Sequence, residues 1–270
     1  MNSHPTLILR TSEGASATLF HHGAHVTSWK TPDDREQMFL SSRSEFGAGT
    51  AIRGGVPVVF PQFSGLGPLN KHGFARNLAW TPVSVQTDAA VLRLEDSDAT
   101  RAQWPHAFRV ELHIQLHAWS LDMTLKVHNT GSASFDFTAA LHTYLAVDDA
   151  FASQVEGLQG LTYRNNPTQT EHLESAARIG FGTEIDRAYF GAGSRQVVLH
   201  DGSRRVLVSQ RGFDDTVVWN PAAEVGAKIP DMEPGGWLRY VCIEAAAVKP
   251  AITLAPGAEW SGTQRLDASA

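Results

Sequence analysis

Arg53 and Arg76 bracket the stretch RGGVPVVFPQFSGLGPLNKHGFAR, which also holds His72. A guanidinium keeps its charge at any accessible pH and presents a rigid fork of N–H donors. Two of them in a segment this rich in glycine and proline point to an anion site built on loops. A second group lies in LRYVCIEAA (238–246), which is apolar on both faces after Arg239 yet contains Glu244. A carboxylate on a strand covered from both sides loses hydration, at a cost of several kcal/mol unless it is paired, and its pKa rises. That suits a general base working near neutral pH. The plainer alternatives are a structural glutamate–arginine pair or a strand that ends before Glu244. A third group lies in FDFTAALHTYLAV (135–147). There Phe135, Phe137, Ala139 and Leu141 share one face, and Asp136, Thr138, Ala140, His142 and Tyr144 share the other. A histidine in such company is commonly a hydrogen-bonded core or surface residue. Beside a desolvated carboxylate, His142 becomes the complementary acid.

Other chemistries find less support. His113 and His117 share a strand face but stand ~13 Å apart at ~3.3 Å per residue, too far for zinc bonds of ~2.0–2.1 Å. His21, His22 and His25 point in alternating directions and lack cysteine or carboxylate company, so no metal site is expected. The chain has no G-x-S-x-G elbow, Walker loop or G-x-G-x-x-G motif. Asp214 and Asp215 read as solvated turn residues, since neighbours on a strand splay apart. Asp186 reads either as a turn aspartate paired with Arg187 or as a ligand for sugar hydroxyls. Trp219 and Trp237 are candidates for stacking on a sugar, with core filling as the alternative. One arginine of the loop could instead pair with Glu45 or Asp186, and Lys71 reads as a solvated neighbour.

The elements that must position these groups are mostly strands. From Phe108 to Asn129, Val110, Leu112, Ile114 and Leu116 alternate with polar residues; after Trp119-Ser120 the parity flips to Leu121, Met123, Leu125 and Val127. The alternation marks half-buried antiparallel strands, and the flip a hairpin or bulge. Further strands are expected at 16–21, 25–30, 56–60, 82–86, 90–95, 134–147, 196–200, 205–209, 216–219, 238–246, 251–254 and 259–265. Short helices are expected at 97–104, behind Asp96 or Ser97, and at 171–178 in TEHLESAA. No repeat or linker divides the chain. The expectation is one large antiparallel β-sandwich domain over 1–270.

With 42% hydrophobic and 19% charged residues, the 270-residue chain has the composition of a water-soluble globular protein. Its net charge of −6, without a long basic run, argues against nucleic acid as a partner. Its single cysteine, Cys242, rules out an intramolecular disulfide and fits a reducing compartment. The N-terminus MNSHPTLILRTSEG lacks a basic region followed by a long apolar run, and no stretch approaches the ~20 apolar residues of a membrane span. A cytoplasmic monomer without a membrane partner is the expectation.

In order along nearly the whole chain stand GAHVTSW (23–29), IRGGVPVVFPQF (52–63), KHGFARNLAW (71–80), WPHAFRVEL (104–112), ALHTYLAV (140–147), DRAY (186–189), DTVVWNP (215–221), DMEPGGWLRYVCIEAA (231–246) and LAPGAEWSGTQ (254–264). In this succession the sequence resembles the aldose 1-epimerase (mutarotase) superfamily and, within it, the D-hexose-6-phosphate mutarotases, or glucose-6-phosphate 1-epimerases. The resemblance implies an all-β supersandwich of the galactose mutarotase type, one cleft across a sheet, no cofactor and a small-molecule sugar phosphate as partner. It implies that Glu244 takes the proton from the anomeric hydroxyl and that His142 protonates the ring oxygen. Arg53, His72 and Asp186 would position the sugar or its phosphate, and Arg76 would mark the phosphate-accepting branch. Ile185 stands where that family usually has threonine, and Leu145 where phenylalanine is common; neither change removes a reacting group. The implied activity is exchange of the α and β anomers of a hexose 6-phosphate. The alternatives are a mutarotase of unphosphorylated aldoses and a non-catalytic carbohydrate-binding sandwich.

Overall fold

A computed structural model describes residues 5–47 and 49–268. Among the described residues, the strands form antiparallel sheets of three, eight and nine strands, and helices are short. The small sheet comprises Thr6–Arg10, Ser16–Phe20 and His25–Lys30. The nine-stranded sheet is centred on the ladder of Phe108–Leu116, Ser120–Asn129 and Glu259–Asp267, so the parity flip at Trp119 is a hairpin. The eight-stranded sheet is centred on Tyr240–Leu254, flanked by Asp215–Asn220 on one side and by Phe135–Leu141 and Tyr144–Ala146 on the other.

Period-two patterning decides which sheet face holds what. Val241, Ile243, Ala245 and Ala247 turn inward and join Val110, Leu112, Leu125 and Val127 of the nine-stranded sheet in one buried cluster. The intervening residues Tyr240, Cys242, Ala246 and Val248 face the other way. They are buried too, in two smaller clusters with Phe39, Tyr144, Met232 and with Val59, Phe63, Ala188, Val217. Glu244 occupies this second face between Cys242 and Ala246, opposite Val217. Loops cover the face that a two-layer sandwich ordinarily leaves to solvent, and the site is built there.

Most expected strands are present, with adjustments that have local causes. The stretch 134–147 is two strands, Phe135–Leu141 and Tyr144–Ala146. Between them the Thr143 N–H bonds back to the Leu141 carbonyl, while its hydroxyl donates to Gln264, whose amide holds the Ile243 carbonyl. The stretches 238–246 and 251–254 are one strand, Tyr240–Leu254, with a register shift between Ala247 and Ile252. The helix expected at 97–104 is Asp98–Gln103, capped reciprocally by Ser97 and Thr100. The helix expected at 171–178 is absent. Thr170–Leu173 is an edge strand paired with Thr162–Asn165, and Glu174 is drawn inward to Arg187 (2.7 Å) and the Tyr189 hydroxyl (2.8 Å). Asp215 is no solvated turn residue either. It is buried and accepts the backbone N–H groups of Val248 and Lys249. No helix among the described residues is long and apolar enough to cross a membrane.

The turn at Gly54-Gly55 brings the Arg53 loop against the small sheet. Gly55 has φ +56°, and a Cβ there would collide with the Val26 carbonyl oxygen and approach the His25 ring. His25 is fully buried, and its Nε2–H donates to the Gly54 carbonyl at 2.7 Å. Burial, seconded by His22 and Arg76, pulls its pKa down to about 3 despite that hydrogen bond. The ordinary value of ~6.5 applies to the unfolded chain, so between pH 6.5 and 3 the unfolded state binds a proton that the native state refuses. The stability linked to His25 is therefore complete above pH 6.5. It is expected to fall by about 1.4 kcal/mol per pH unit as the pH drops through that window. Urea titrations at pH 7 and pH 5 measure this directly. His25→Gln, which keeps a donor for Gly54, is expected to reduce the pH dependence; an unchanged slope would contradict the assignment.

Candidate active site

The outward face of Tyr240–Leu254 and its neighbours forms the floor of a cleft of about 260 Å³, near the lower end of the ~300–1,000 Å³ typical of small-molecule sites. Arg53, His72, Arg76, His142, Asp186 and Glu244 all line it. Residues that the sequence spreads over most of the chain are thus gathered in one place.

Glu244 and His142 lie at the centre. His142 sits in the break between Phe135–Leu141 and Tyr144–Ala146, its backbone N–H bonded to the Pro57 carbonyl. The break preserves parity, so Ala140, His142 and Tyr144 stay on the cleft side. His142 Nε2 is 3.3 Å from Glu244 Oε1. Its ring stacks on Tyr144 with centroids 4.9 Å apart and 12° between planes, and meets the edges of Trp219 (5.7 Å) and His72 (5.6 Å). His142 Nδ1 and Glu244 Oε2 are buried without a hydrogen-bond partner. Burial, and then Asp186, push the Glu244 carboxyl well above the usual carboxylate range; Lys71 and Arg76 only partly oppose this. Burial, and then the charges of Arg76 and Arg53, push His142 well below the usual histidine value.

The loop between Phe60 and Arg76 forms one wall. His72 (φ +71°) and Gly73 (φ +68°) turn the chain sharply, and a Cβ on Gly73 would strike the Phe60 carbonyl oxygen. His72 Nδ1 accepts the Ser64 N–H at 3.3 Å, so its Nε2 carries the hydrogen of the neutral ring. Burial and the neighbouring His142, Arg76, Lys71 and Arg53 hold it in that neutral form.

The two arginines differ in their bonding. Arg53 Nε contacts Asp231 at 3.1 Å and its Nη1 donates to the Tyr144 hydroxyl at 3.1 Å. Burial opposes its charge, but Tyr144 and Asp231 together raise its pKa. A carboxylate does pair with one arginine, then, and it is Asp231 rather than Glu45 or Asp186. Arg76 forms no ion pair among the described residues. One of its terminal nitrogens donates to the Lys71 carbonyl at 3.0 Å, and its Nε is buried and unpartnered.

Asp186 lies on Ile185–Tyr189 opposite Trp219. It does not pair with Arg187, which points to the other face, to Glu174 and over the Tyr163 ring. Instead its Oδ1 accepts the Asn166 amide at 2.6 Å, and burial raises its pKa against that bond. Asn166 lines the cleft as well. Nothing in the sequence around NNP (165–167) marks it, because it arrives through pairing of Thr162–Asn165 with Ile185–Tyr189. Of the two tryptophans, Trp219 lines the cleft, whereas Trp237 packs on Phe151 at 5.1 Å. Among the described residues, no group of three or more His, Cys, Asp or Glu side chains is placed to share a metal ion.

The family model for aldose 1-epimerase matches residues 5–267. The chain belongs to the aldose 1-epimerase family. Within that family it is 35% identical to a protein of Cenchrus ciliaris, over 97% of this chain and 84% of the relative. It is 32% identical to one of Escherichia coli K12, over 83% and 77%. Both carry the name "Putative glucose-6-phosphate 1-epimerase". Among solved structures, a "putative mutarotase (YeaD)" from Salmonella typhimurium superimposes with a TM-score of 0.89 at 27% identity, covering 99% of this chain and 91% of that one. A galactose mutarotase related enzyme from Lactobacillus acidophilus shares the fold with a TM-score of 0.83 at 16% identity, covering 98% of each chain. The all-β sandwich read from this epimerase-family sequence is thus the fold of the mutarotases.

Proposed function

We propose that this aldose 1-epimerase family member interconverts the α and β anomers of a hexose 6-phosphate, with glucose 6-phosphate as the preferred candidate. The reading is carried by one observation: a Glu244–His142 contact on the floor of a cleft whose wall bears Arg76, which has no carboxylate partner among the described residues. The names borne by the 35% and 32% identical relatives support the phosphorylated sugar.

Opening a hemiacetal removes the proton of the C1 hydroxyl and delivers one to the ring oxygen. Glu244, ionised, takes the first; His142, protonated, gives the second. The aldehyde turns about C1–C2 and recloses on its other face with both transfers reversed, so neither residue is consumed. Positioned acid–base groups of this kind contribute roughly 10²–10⁴-fold. Asp186, held by Asn166, and His72 through Nε2–H bind sugar oxygens. Arg76 and Arg53 bind the phosphate through charge-assisted hydrogen bonds, which are about twice as strong as neutral ones.

The test is anomer exchange followed by NMR magnetisation transfer on glucose 6-phosphate and on glucose. Faster exchange of the phosphorylated sugar at low micromolar enzyme is the expected outcome. Equal acceleration of both sugars would remove the phosphate assignment, and binding without exchange would leave a carbohydrate-binding sandwich.

A further inference from the structure

The hold on Asp186 reaches one residue beyond the lining of the cleft. Asn166 grips Asp186 twice: its backbone N–H donates to the Asp186 carbonyl at 2.9 Å, and its side-chain amide donates to Oδ1 at 2.6 Å. The Asn166 Oδ1 in turn accepts from Arg164 Nε at 3.1 Å. This last bond decides which way the amide faces. A guanidinium has donors and no acceptor, so the asparagine atom turned to Arg164 is the oxygen and the one turned to Asp186 is the nitrogen. Turned the other way, the amide would set its oxygen against the carboxylate and its NH₂ against the guanidinium.

Arg164 is not among the residues lining the cleft. It stands on Thr162–Asn165 opposite Ala188, and its guanidinium lies 5.9 Å from the centre of the Phe190 ring. Arg187 on the neighbouring strand has Glu174 for its charge. Arg164 forms no ion pair among the described residues, and its Nη2 is buried without a hydrogen-bond partner. Taking a cation out of water without a carboxylate beside it is costly, yet here the hydrogen bond goes to a neutral oxygen that steers a cleft residue.

Resting on the sugar-binding role proposed for Asp186 above, we propose that Arg164 is a positioning residue for the sugar, acting through Asn166 to hold the amide on Asp186 Oδ1 and so aim Oδ2 at a ring hydroxyl. Without Arg164 the Asn166 amide has one anchor instead of two and can swing toward water, and the carboxylate loses the fixed donor against which it is set. Burial raises the Asp186 pKa, while the Asn166 bond, Lys71 and Arg164 oppose it, so the same chain also favours the form that accepts a hydroxyl. The phosphate takes no part. Phosphorylated and unphosphorylated hexoses should therefore depend on Arg164 alike, in contrast to the selective effect expected at Arg76.

The experiment is a double-mutant cycle. Arg164→Met keeps the apolar stem against Phe190 and removes the donors, Arg164→Lys keeps one, and Asn166→Ala removes the intermediary. Steady-state anomer exchange is measured on glucose 6-phosphate and on glucose. Arg164→Met is expected to raise KM about three- to tenfold for both sugars, a part of the ~10–150-fold carried by a whole charge-assisted hydrogen bond. The loss should fall on KM rather than kcat, and Arg164→Lys should recover part of it. In the Asn166→Ala protein, adding Arg164→Met should have no further effect, because residues that act through one chain are not additive. On the free protein, the Asn166 side-chain amide, assigned by its loss in Asn166→Ala, is expected to resist hydrogen exchange and to lose that protection in Arg164→Met. Additive effects of the two substitutions, or an amide equally protected without Arg164, would overturn the inference and leave the proposed activity intact. So would a KM raised for glucose 6-phosphate alone, which would assign Arg164 to the phosphate. Absence of exchange of either sugar by the unaltered protein would overturn both.

Discussion

Glu244→Gln is expected to lower anomer exchange of glucose 6-phosphate by roughly 10²–10⁴-fold, the range for loss of a positioned general base. Glutamine has nearly the shape of glutamate, and position 244 sits on a strand buried on both faces. The backbone ladder to Val217 does not involve the side chain. Burial disfavours a charge at position 244, so replacing the carboxyl by an amide of similar shape is expected to shift folding stability by no more than ~1 kcal/mol. The urea midpoint should thus remain near that of the unaltered protein while exchange collapses, which separates a chemical loss from misfolding. Retention of full exchange by a well-folded Glu244→Gln protein would remove Glu244 from the mechanism.

The second large effect is expected at Arg76, and it is selective. Hydrogen bonds to charged groups contribute ~1.5–3 kcal/mol each, so Arg76→Gln should weaken glucose 6-phosphate binding by about 10- to 150-fold. Glucose has no group for this guanidinium, and its exchange should not slow. Arg76→Lys restores the charge without the two-pronged geometry and is expected to recover part of the affinity. Arg53 is a less clean probe of phosphate binding. Its removal also leaves Asp231 unpaired and releases the Tyr144 hydroxyl, so a variant there mixes loss of substrate contact with loosening of the wall. Steady-state measurements over a range of both sugars distinguish the two positions. A glucose 6-phosphate KM that is unmoved in Arg76→Gln would show that the phosphate lies elsewhere.

The strand framework was legible because its signals are local. The alternation in Phe108–Asn129 and its flip at Trp119 mark a hairpin whichever sheet receives it, and the bracketing of VPVVF by Arg53 and Arg76 is a feature of one loop. The burial of Glu244 was legible for the same reason. A strand without a polar face has no side to turn to solvent, so its carboxylate goes inside with it. Parity also placed His142 and Tyr144 together, and it survived the break at Thr143 because a side-chain network on Gln264 pins that turn. The misreadings lie where a distant partner outweighs local preference. TEHLESAA has the composition of a helix, yet Thr170–Leu173 pairs as an edge strand and Glu174 is claimed by Arg187 and Tyr189. Asp215 looks like a turn residue until the Val248 and Lys249 backbone amides close on it.

By itself, then, the sequence determined the hairpin of Phe108–Asn129, the doubly covered strand that carries Glu244 and the shared face of His142 and Tyr144, whereas Thr162–Asn165 and Ile185–Tyr189 were marked as strands only by their pairing. Partner choice was left to the tertiary structure: Asp231 rather than Glu45 for Arg53, Asn166 rather than Arg187 for Asp186, and His142 against Glu244 across two strands far apart in the chain. The physical reason is one of range. A side chain's periodicity and hydration are set by residues within a few positions of it, whereas the charges and donors that fix its protonation and orientation come from strands that meet only when the sheet closes.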